Sequence, residues 1–228
     1  MSNPVVPYPV VPHPVVSRPA VPRRTLMLGT AAAVLVPAAA FAATGPDVGK
    51  PAPAFTAVDS NGKTWSLADL KGKVVVLETT NHDCPYVRKH YNAKNMQAQQ
   101  REAAGKGVVW LTVASSATGE QGHVTAQQAN DLTKSRDAAP AAVLLDPRSQ
   151  VARAYGATVT PHMYIIDANG VLAYKGGIDS IPSADVADIP KAKQYVRIGM
   201  DEVLAGKPVT DSSTRPYGCT LKYPKTST

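Results

Sequence analysis

Three short apolar runs divide the middle of the chain. Residues 74–77, 108–114 and 142–145 are apolar at almost every position, which is typical of strands buried on both faces of a sheet. Helical patterns lie between and after these runs, over residues 85–104, 126–136, 149–155 and 192–204. This alternation of strands and helices favours an α/β fold.

Two predicted strand–turn–strand units lie on either side of this region. The turn sequence Asp-Ser-Asn-Gly-Lys at residues 59–63 separates two short β patterns before the first apolar run. Asp-Ala-Asn-Gly at residues 167–170 separates two more after the last run. Both turns contain Asn-Gly, which tight hairpin turns prefer because both residues tolerate a positive φ. The whole order predicts a sandwich with a central mixed sheet flanked by helices.

The first 42 residues differ in composition from the rest of the chain. Residues 4–23 are a five-residue repeat so rich in proline that they predict an extended arm instead of helix or sheet. An arginine pair at residues 23–24 and about 11 apolar residues follow, ending in the small-residue cleavage pattern at residues 40–42. This is the pattern of a secretory signal peptide, and its apolar core is too short to span a bilayer comfortably.

The signal peptide predicts where the protein works. The arginine pair, followed by Thr25-Leu26, resembles a twin-arginine signal, although it lacks the usual Ser or Thr before the pair, so ordinary secretion stays open. We expect export, to a bacterial periplasm, with no stable membrane anchor after cleavage near Ala43. The predicted parts of the chain are the arm and signal peptide (residues 1–42), an α/β domain (residues 43–205) and a polar C-terminal tail (residues 206–228).

Composition and charge exclude several classes of function. Hydrophobic residues make up 44% of the chain, which is enough for a buried core. Of its 24 basic residues, three lie in the first 42 residues, and the remaining 21 exceed the 17 acidic residues by only four. This mild and scattered excess gives no reason to expect nucleic acid as a partner. Phosphate loops and dinucleotide fingerprints are also absent from the sequence, so we expect no cofactor.

Cys84 is the strongest candidate for chemistry. The strand at residues 74–77 leads through a short polar loop to Cys84-Pro85, where the first helical pattern begins. Proline is favoured in the first turn of a helix, so Cys84 is predicted to lie at the helix N-terminus. Free N–H groups and the positive end of the helix dipole favour a thiolate there, and Arg88 and Lys89 add cationic charge one turn on. The alternative is a small apolar residue that begins a helix and has no chemical role.

The order of the elements resembles the thioredoxin superfamily over residues 48–204. Within it, the chain is most similar to the redoxin branch (alkyl hydroperoxide reductase/thiol-specific antioxidant), in particular to a peroxiredoxin-like group of exported proteins. The resemblance implies a thioredoxin-like sandwich and a thiol-dependent oxidoreductase. The segments that carry it are Gly49-Lys50-Pro51-Ala52-Pro53-Ala54-Phe55, the strand that leads from Val74 to Cys84, Thr160-Pro161 and Ile166-Asp167-Ala168-Asn169-Gly170.

The resemblance also implies roles for individual residues. Cys84 occupies the position of the attacking cysteine, and Thr160-Pro161 that of a cis-proline loop which faces this cysteine and holds the substrate backbone. Glu78 matches a buried acid that many thioredoxin relatives use in proton transfer. A carboxylate buried beneath a thiol can take up its proton and have a raised pKa. The alternatives are an ordinary trans turn at Pro161 and a Glu78 side chain that is satisfied by a nearby lysine.

Two patterns of the related families are incomplete here. A thioredoxin-type reductase has a second cysteine three residues after the first, but Val87 occupies that position. The peroxiredoxin signature Pro-x-x-x-Thr-x-x-Cys is also altered, with Leu77 and Asn81 in place of the proline and the threonine. The usual resolving partner and the standard peroxide pocket are therefore not evident. His82, Asp83 and Thr80 are candidates for substitute hydrogen bonds to the substrate.

Cys219 is the second of only two cysteines and lies in the Pro/Gly-containing tail. We expect this tail to be free to swing toward Cys84, which makes Cys219 the candidate resolving cysteine. In an oxidising compartment the same pair is equally consistent with a permanent disulfide. In the chain-entropy model, closing so long a loop stabilises the fold by about 4–5 kcal/mol.

The sequence therefore predicts an exported thiol-based oxidoreductase that reduces peroxide or disulfide substrates. Cys84 is the expected nucleophile, Glu78 assists proton transfer and Cys219 resolves the intermediate. An external thiol or a thioredoxin-like protein is expected to supply the electrons. The candidate contacts to the substrate are Thr160, Pro161 and His82.

A non-catalytic binding module is the alternative interpretation. In that case the bridge between Cys84 and Cys219 is permanent, or the chain holds copper or zinc. A thiolate and imidazoles are suitable ligands for both metals. The candidate metal ligands are His82, Cys84, His90 and His162, whose spacing matches no strong metal motif.

Overall fold

A seven-stranded mixed sheet forms the centre of the fold. The structure is a computed structural model that describes residues 45–225. The strands of the described residues are β1 (Thr56–Asp59), β2 (Thr64–Ser66), β3 (Val75–Thr80), β4 (Val109–Ala114), β5 (Ala142–Leu145), β6 (Val159–Thr160), β7 (His162–Ile166), β8 (Leu172–Gly176) and β9 (Cys219–Thr220). Of these, β6 and β9 pair with each other outside the central sheet. The α-helices are α1 (Pro85–Asn92), α2 (Asn95–Gly105), α3 (Ala126–Ser135), α4 (Gln150–Ala154) and α5 (Tyr195–Leu204), and short 3₁₀ helices cover Leu67–Leu70 and Val186–Lys191.

The strand order of the central sheet is β2-β1-β5-β4-β3-β7-β8. Strand β3 is parallel to β4 and antiparallel to β7, and β4 is in turn parallel to β5. The three apolar runs of the sequence are therefore neighbours in the sheet, as expected for buried parallel strands. The predicted α/β sandwich with a mixed central sheet is confirmed.

Side chains of the central strand alternate between two hydrophobic clusters. On β3, Val75 and Leu77 belong to one cluster and Val76 belongs to the other. Cys84 belongs to the second cluster, together with Val87 of α1. Because both faces of β3 are buried, its sequence is a continuous apolar run and does not alternate between apolar and polar residues.

The single helix predicted over residues 85–104 is wrong, because the structure divides this segment into α1 and α2. Lys94 lies between them with a φ of 59°, a left-handed conformation through which an α-helix cannot continue. No glycine or proline marks this position, so the sequence contains no signal of the break. Helix α5 also begins later than predicted, at Tyr195.

The C-terminal tail is part of the fold. Strand β9 pairs antiparallel with β6, so that Thr220 is opposite Val159 and Cys219 is opposite Thr160. Leu221, directly after β9, is 4% exposed and joins the core. The expectation of a free tail is therefore wrong, because backbone pairing and the burial of an apolar side chain hold this segment in place.

The proline-rich arm, the signal peptide and its cleavage site fall within residues 1–44, which lie outside the described residues. Residues 226–228 lie outside them as well. Within residues 45–225, no helix is long and apolar enough to cross a bilayer. Export and the division of the chain into three parts remain predictions.

Candidate active site

Cys84 lies where the central strand passes into the first helix. It is the N-cap residue of α1, and Pro85 follows in the first turn, as the sequence predicts. Asn81 fixes the preceding loop, because its carbonyl oxygen accepts from Cys84 N (3.1 Å) and its side-chain oxygen accepts from Asp83 N (2.9 Å). Cys84 is completely buried. The predicted place of Cys84 in the fold is confirmed, but its sulfur is not open to solvent.

Two backbone groups contact the sulfur of Cys84. Its thiol donates to Thr160 O (3.1 Å) and accepts from Cys219 N (3.4 Å). The peptide bond between Thr160 and Pro161 is cis, as the resemblance implies. Since a neutral thiol supplies one donor and one acceptor, these contacts suit the protonated form of Cys84. To react as a nucleophile, Cys84 must lose this proton and must be uncovered.

Thr79 of β3 holds the proline loop, residues 159–162, in place. Its hydroxyl oxygen accepts from His162 N (3.0 Å) and lies 3.2 Å from His162 O and 3.3 Å from Val159 O. These two residues flank Thr160 and Pro161, so one side chain holds both ends of the loop. The loop is thereby kept in contact with the cysteine.

Cys219 is a free thiol on the strand that covers Cys84, and it is half-buried. Burial is the main cause that raises the pKa of Cys219 to about 12, and a hydrogen bond with Cys84 adds to it. Cys219 is therefore protonated at neutral pH and is a poor nucleophile in this state. The structure thus brings the two predicted cysteines together with both thiols reduced.

Glu78 is completely buried in the middle of β3. Burial raises the pKa of Glu78, and hydrogen bonds to the carboxylate offset part of this effect. None of these bonds involves Cys84 or a lysine, so a role of Glu78 in proton transfer stays a prediction. The carboxylate accepts from four side chains, namely the Tyr91 hydroxyl (2.9 Å), the Gln100 amide (3.3 Å), the Trp110 indole N–H (2.9 Å) and the Thr112 hydroxyl (3.0 Å).

The side chain of His82 contacts its neighbour Asp83, with Nε2 3.4 Å from Oδ2. The carbonyl oxygen of His82 accepts from Arg136 Nη2 (2.8 Å). Together with Thr80 and Arg136, His82 lines a cavity of about 40 Å³. Cys84 is not part of this lining, so a contact of His82 with a substrate at Cys84 stays a prediction.

The four candidate metal ligands do not form a cluster. Within residues 45–225, no group of three or more His, Cys, Asp and Glu residues is arranged to hold a metal ion. His90 contacts Tyr217 and Asp179, whereas the ring of His162 stacks on Tyr164 with ring centroids 4.6 Å apart. The geometry of this part of the chain does not support the metal-binding alternative.

Sequence reasoning missed a buried ion pair beside the active site. Arg88 is exposed, and Lys89 is completely buried against Asp179, with Nζ 3.3 Å from Oδ2. The expectation that Lys89 adds positive charge at Cys84 is therefore wrong, because the carboxylate of Asp179 compensates it. Asp179 follows β8, far along the chain, and no local pattern indicates that it meets α1.

Comparisons with known proteins agree with this fold. The model of the AhpC/TSA family matches residues 48–175. Among solved structures, a hypothetical protein from Sinorhizobium meliloti 1021 is 24% identical with a TM-score of 0.67, over 79% of this chain and 97% of that protein. An uncharacterized conserved protein from Geobacillus kaustophilus is 23% identical with a TM-score of 0.67, over 79% of this chain and 94% of that protein. Both share the fold of this chain, and no curated protein matches it.

Proposed function

This chain belongs to the AhpC/TSA family and is a thiol-dependent oxidoreductase, and we propose that it reduces disulfide or peroxide substrates through Cys84. In this proposal Cys219 is the resolving cysteine. The observation that carries it is the 3.4 Å contact between Cys219 N and Cys84 Sγ, two residues 135 positions apart in sequence. Since the chain has only two cysteines, their meeting at a helix N-terminus supports a shared redox role.

The reaction proceeds by two thiol–disulfide exchanges. The Cys84 thiolate first attacks one sulfur of a substrate disulfide, and the other sulfur leaves as a thiolate that takes up a proton. The Cys219 thiolate then attacks the sulfur of Cys84, forms the intramolecular disulfide and releases the second substrate sulfur as a thiol. The substrate gains two electrons and two protons, and an external thiol or thioredoxin-like donor returns them to the cysteine pair.

The order of these steps follows from the pKa of Cys219. While Cys84 is a thiolate, its charge and its hydrogen bond help to hold Cys219 in the protonated form. Once the sulfur of Cys84 is part of a mixed disulfide, that charge is gone and the pKa of Cys219 falls. The reaction of the first cysteine therefore removes one cause of the raised pKa, while burial, the largest cause, is relieved only when the segment around Cys219 moves.

Glu78 is the proposed acceptor of the proton that leaves Cys84. Burial raises the pKa of Glu78, and one of its hydrogen-bond donors, Trp110, belongs to the same hydrophobic cluster as Cys84. Because the hydrogen bonds of Glu78 go to other side chains, the transfer requires a rearrangement of these bonds when Cys84 is uncovered.

A disulfide within a polypeptide is the substrate that the geometry supports best. Strand β6 pairs with an extended segment of its own chain across Cys84, so its backbone groups are arranged to pair with a substrate strand in the first exchange, while this segment is displaced. The return of the segment then brings Cys219 to Cys84 for the second exchange. Thr160 and Pro161 then hold the substrate backbone, and His82 is a further proposed contact. A peroxide is the second candidate, which membership of the AhpC/TSA family favours.

Two substrates presented side by side test this function. With dithiothreitol as the donor, kcat/KM for a disulfide-linked peptide should exceed that for hydrogen peroxide by about tenfold or more. Peptide mapping after one equivalent of the peptide disulfide should find Cys84 joined to Cys219. Faster consumption of peroxide would overturn the assignment of a disulfide substrate. If both cysteines stay reduced after treatment with either the peptide disulfide or hydrogen peroxide, the proposal as a whole is overturned.

The proposed site of action is the bacterial periplasm. The signal pattern of residues 23–42 supports export, and a redox-active cysteine pair suits an oxidising compartment. We expect the protein recovered from a periplasmic fraction to begin near Ala43, which N-terminal sequencing measures. An N-terminus at Met1 in protein found only in the cytoplasm would contradict this expectation.

A further inference from the structure

Tyr217, two residues before Cys219, ties the tail to a buried charged cluster. Its hydroxyl donates to Asp179 Oδ1, and His90 Nε2 lies 3.4 Å from the same hydroxyl. Lys89 Nζ lies 3.3 Å from the other carboxylate oxygen of Asp179. The side chains of Lys89, His90 and Asp179 are completely buried. The cluster therefore offers Tyr217 a fixed partner beneath the surface of the protein.

His90 is held as a neutral imidazole that donates toward Tyr217. Asn95 Nδ2 lies 2.8 Å from Nδ1 of His90, and since an amide nitrogen only donates, Nδ1 accepts and the proton lies on Nε2. Burial lowers the pKa of His90 to about 4, which agrees with the neutral form. The hydroxyl of Tyr217 thus has an acceptor for its hydrogen in Asp179 and a donor to its oxygen in His90.

The residue after Tyr217 is fitted closely to the proline loop. Gly218 has a φ of 144°, and a Cβ atom at this position would lie 1.9 Å from Thr160 O, so only glycine fits. The ring of Tyr217 packs edge-on against Tyr86 of α1, with ring centroids 5.7 Å apart. The anchored tyrosine and the close approach of the backbone together set the place of Cys219.

We propose that Tyr217 is a positioning residue for the resolving step, because its docking holds Cys219 over Cys84 and returns the second thiol to this place once the mixed disulfide has formed. This inference rests on the proposed function. The same anchor keeps Cys84 covered while it is reduced. Loss of the Tyr217 hydroxyl therefore has two opposite effects: Cys84 reacts sooner with an outside reagent, and Cys219 resolves the product later.

The first test measures the covering of Cys84 alone, in a Cys219→Ser background where no resolution occurs. The rate of alkylation of Cys84 by iodoacetamide is compared between Tyr217→Phe and Tyr223→Phe. Tyr223 is a matched control, because it is a second tail tyrosine whose hydroxyl donates to Ala157 O and not to the charged cluster. Tyr217→Phe should raise the rate about tenfold, which corresponds to about 1.4 kcal/mol of lost docking. Tyr223→Phe should raise the rate less than about threefold, which corresponds to less than half of that free energy.

The second test follows resolution in the chain with both cysteines. 4,4′-Dithiodipyridine releases one thiopyridone when Cys84 attacks it and a second when Cys219 resolves the mixed disulfide. Tyr217→Phe should speed the first release and slow the second about tenfold, so that the mixed disulfide accumulates. Loosening of the tail by any other cause would move the two rates in the same directions, so Tyr223→Phe is the control here as well, and thermal unfolding of each variant checks global stability. Tyr217→Leu, which also removes the ring, should shift both rates further in the same directions.

The outcomes separate this inference from the function on which it rests. Equal rates for the variants of Tyr217 and Tyr223 in both tests would overturn the role of Tyr217, while a product with Cys84 joined to Cys219 would still support the proposed function. Two persistent mixed disulfides in the unsubstituted protein, one on each cysteine, would remove the resolving step and with it the role of Tyr217 in that step.

Discussion

Cys84→Ser should lower kcat/KM for disulfide reduction by about 10³-fold or more, because a hydroxyl is a far weaker nucleophile than a thiolate and forms no mixed disulfide. The fold should survive this change. A serine hydroxyl at this position can donate to Thr160 O and accept from Cys219 N, as the thiol does. A steady-state assay with a disulfide-linked peptide measures the loss of activity, and thermal unfolding checks the fold.

Cys219→Ser is the matched control, because it removes the second thiol and keeps the first. A mixed disulfide should still form at Cys84 and then persist until the external donor attacks it. We expect the mixed disulfide to form at the normal rate and kcat to be lower by about tenfold to a hundredfold. Full activity of Cys84→Ser would contradict the assignment of the nucleophile. A normal kcat for Cys219→Ser would instead favour a structural role for the second cysteine.

The central sheet and the position of the nucleophile could be predicted because their signals are local. Each of the runs at residues 74–77, 108–114 and 142–145 is apolar, since the strands that contain them are central in the sheet. Pro85 and the helical pattern after it place Cys84 at the start of a helix, because proline suits the first turn and few other helical positions.

The contacts that complete the site could not be predicted in the same way, because they join residues far apart in sequence. Tyr217 meets Asp179 and His90 across the fold, and no local pattern pairs them. The tail did contain a signal that it packs on the domain, but its largely polar composition obscured this signal. Its two tyrosines and its leucine, Tyr217, Tyr223 and Leu221, all pack against the hydrophobic clusters, whereas the polar residues around them suggested a free segment.

The break at Lys94 had no such signal. A positive φ at a lysine is an uncommon conformation that sequence propensity does not anticipate. The partners of Glu78 were equally hidden, because its donors come from two helices and a neighbouring strand. The family resemblance implied that the carboxylate is buried, but the parts of the chain that satisfy it emerge only once those elements are packed together.

Truncation of Glu78 should have the largest effect on stability. Glu78→Ala should lower the free energy of unfolding by about 3–5 kcal/mol, because it opens a cavity and leaves the buried donors of Tyr91, Trp110 and Thr112 without an acceptor. Glu78→Gln should cost less, about 1–2 kcal/mol, since its amide oxygen still accepts from Trp110 and Thr112 and only the hydroxyl hydrogen of Tyr91 loses its acceptor. Urea denaturation of both variants measures the difference.

The stability of the unsubstituted protein should also depend on pH through Glu78, with a definite sign. Burial raises the pKa of Glu78 above its ordinary value of 4.5. Between that value and the raised one, the native state holds a proton that the unfolded state has lost, so the free energy of unfolding falls as the pH rises through this window. Glu78→Gln does not titrate, so its stability should improve relative to the unsubstituted protein as the pH rises from about 4 toward neutral. Parallel pH curves for the two proteins would contradict a raised pKa.

The same conservative variant separates proton transfer from packing. If Glu78 takes up the proton of Cys84, Glu78→Gln should remain folded, slow the first exchange by about 10²-fold and lose the matching limb of the pH–rate profile. An unchanged rate and profile would contradict proton transfer and leave Glu78 as a buried acceptor that holds its four donors in place. Because β3 carries Glu78 and leads directly into the loop before Cys84, that packing role still positions the nucleophile. In that case Glu78→Ala should lose more activity than its loss of folded protein accounts for, which a comparison of kcat with the folded fraction measures.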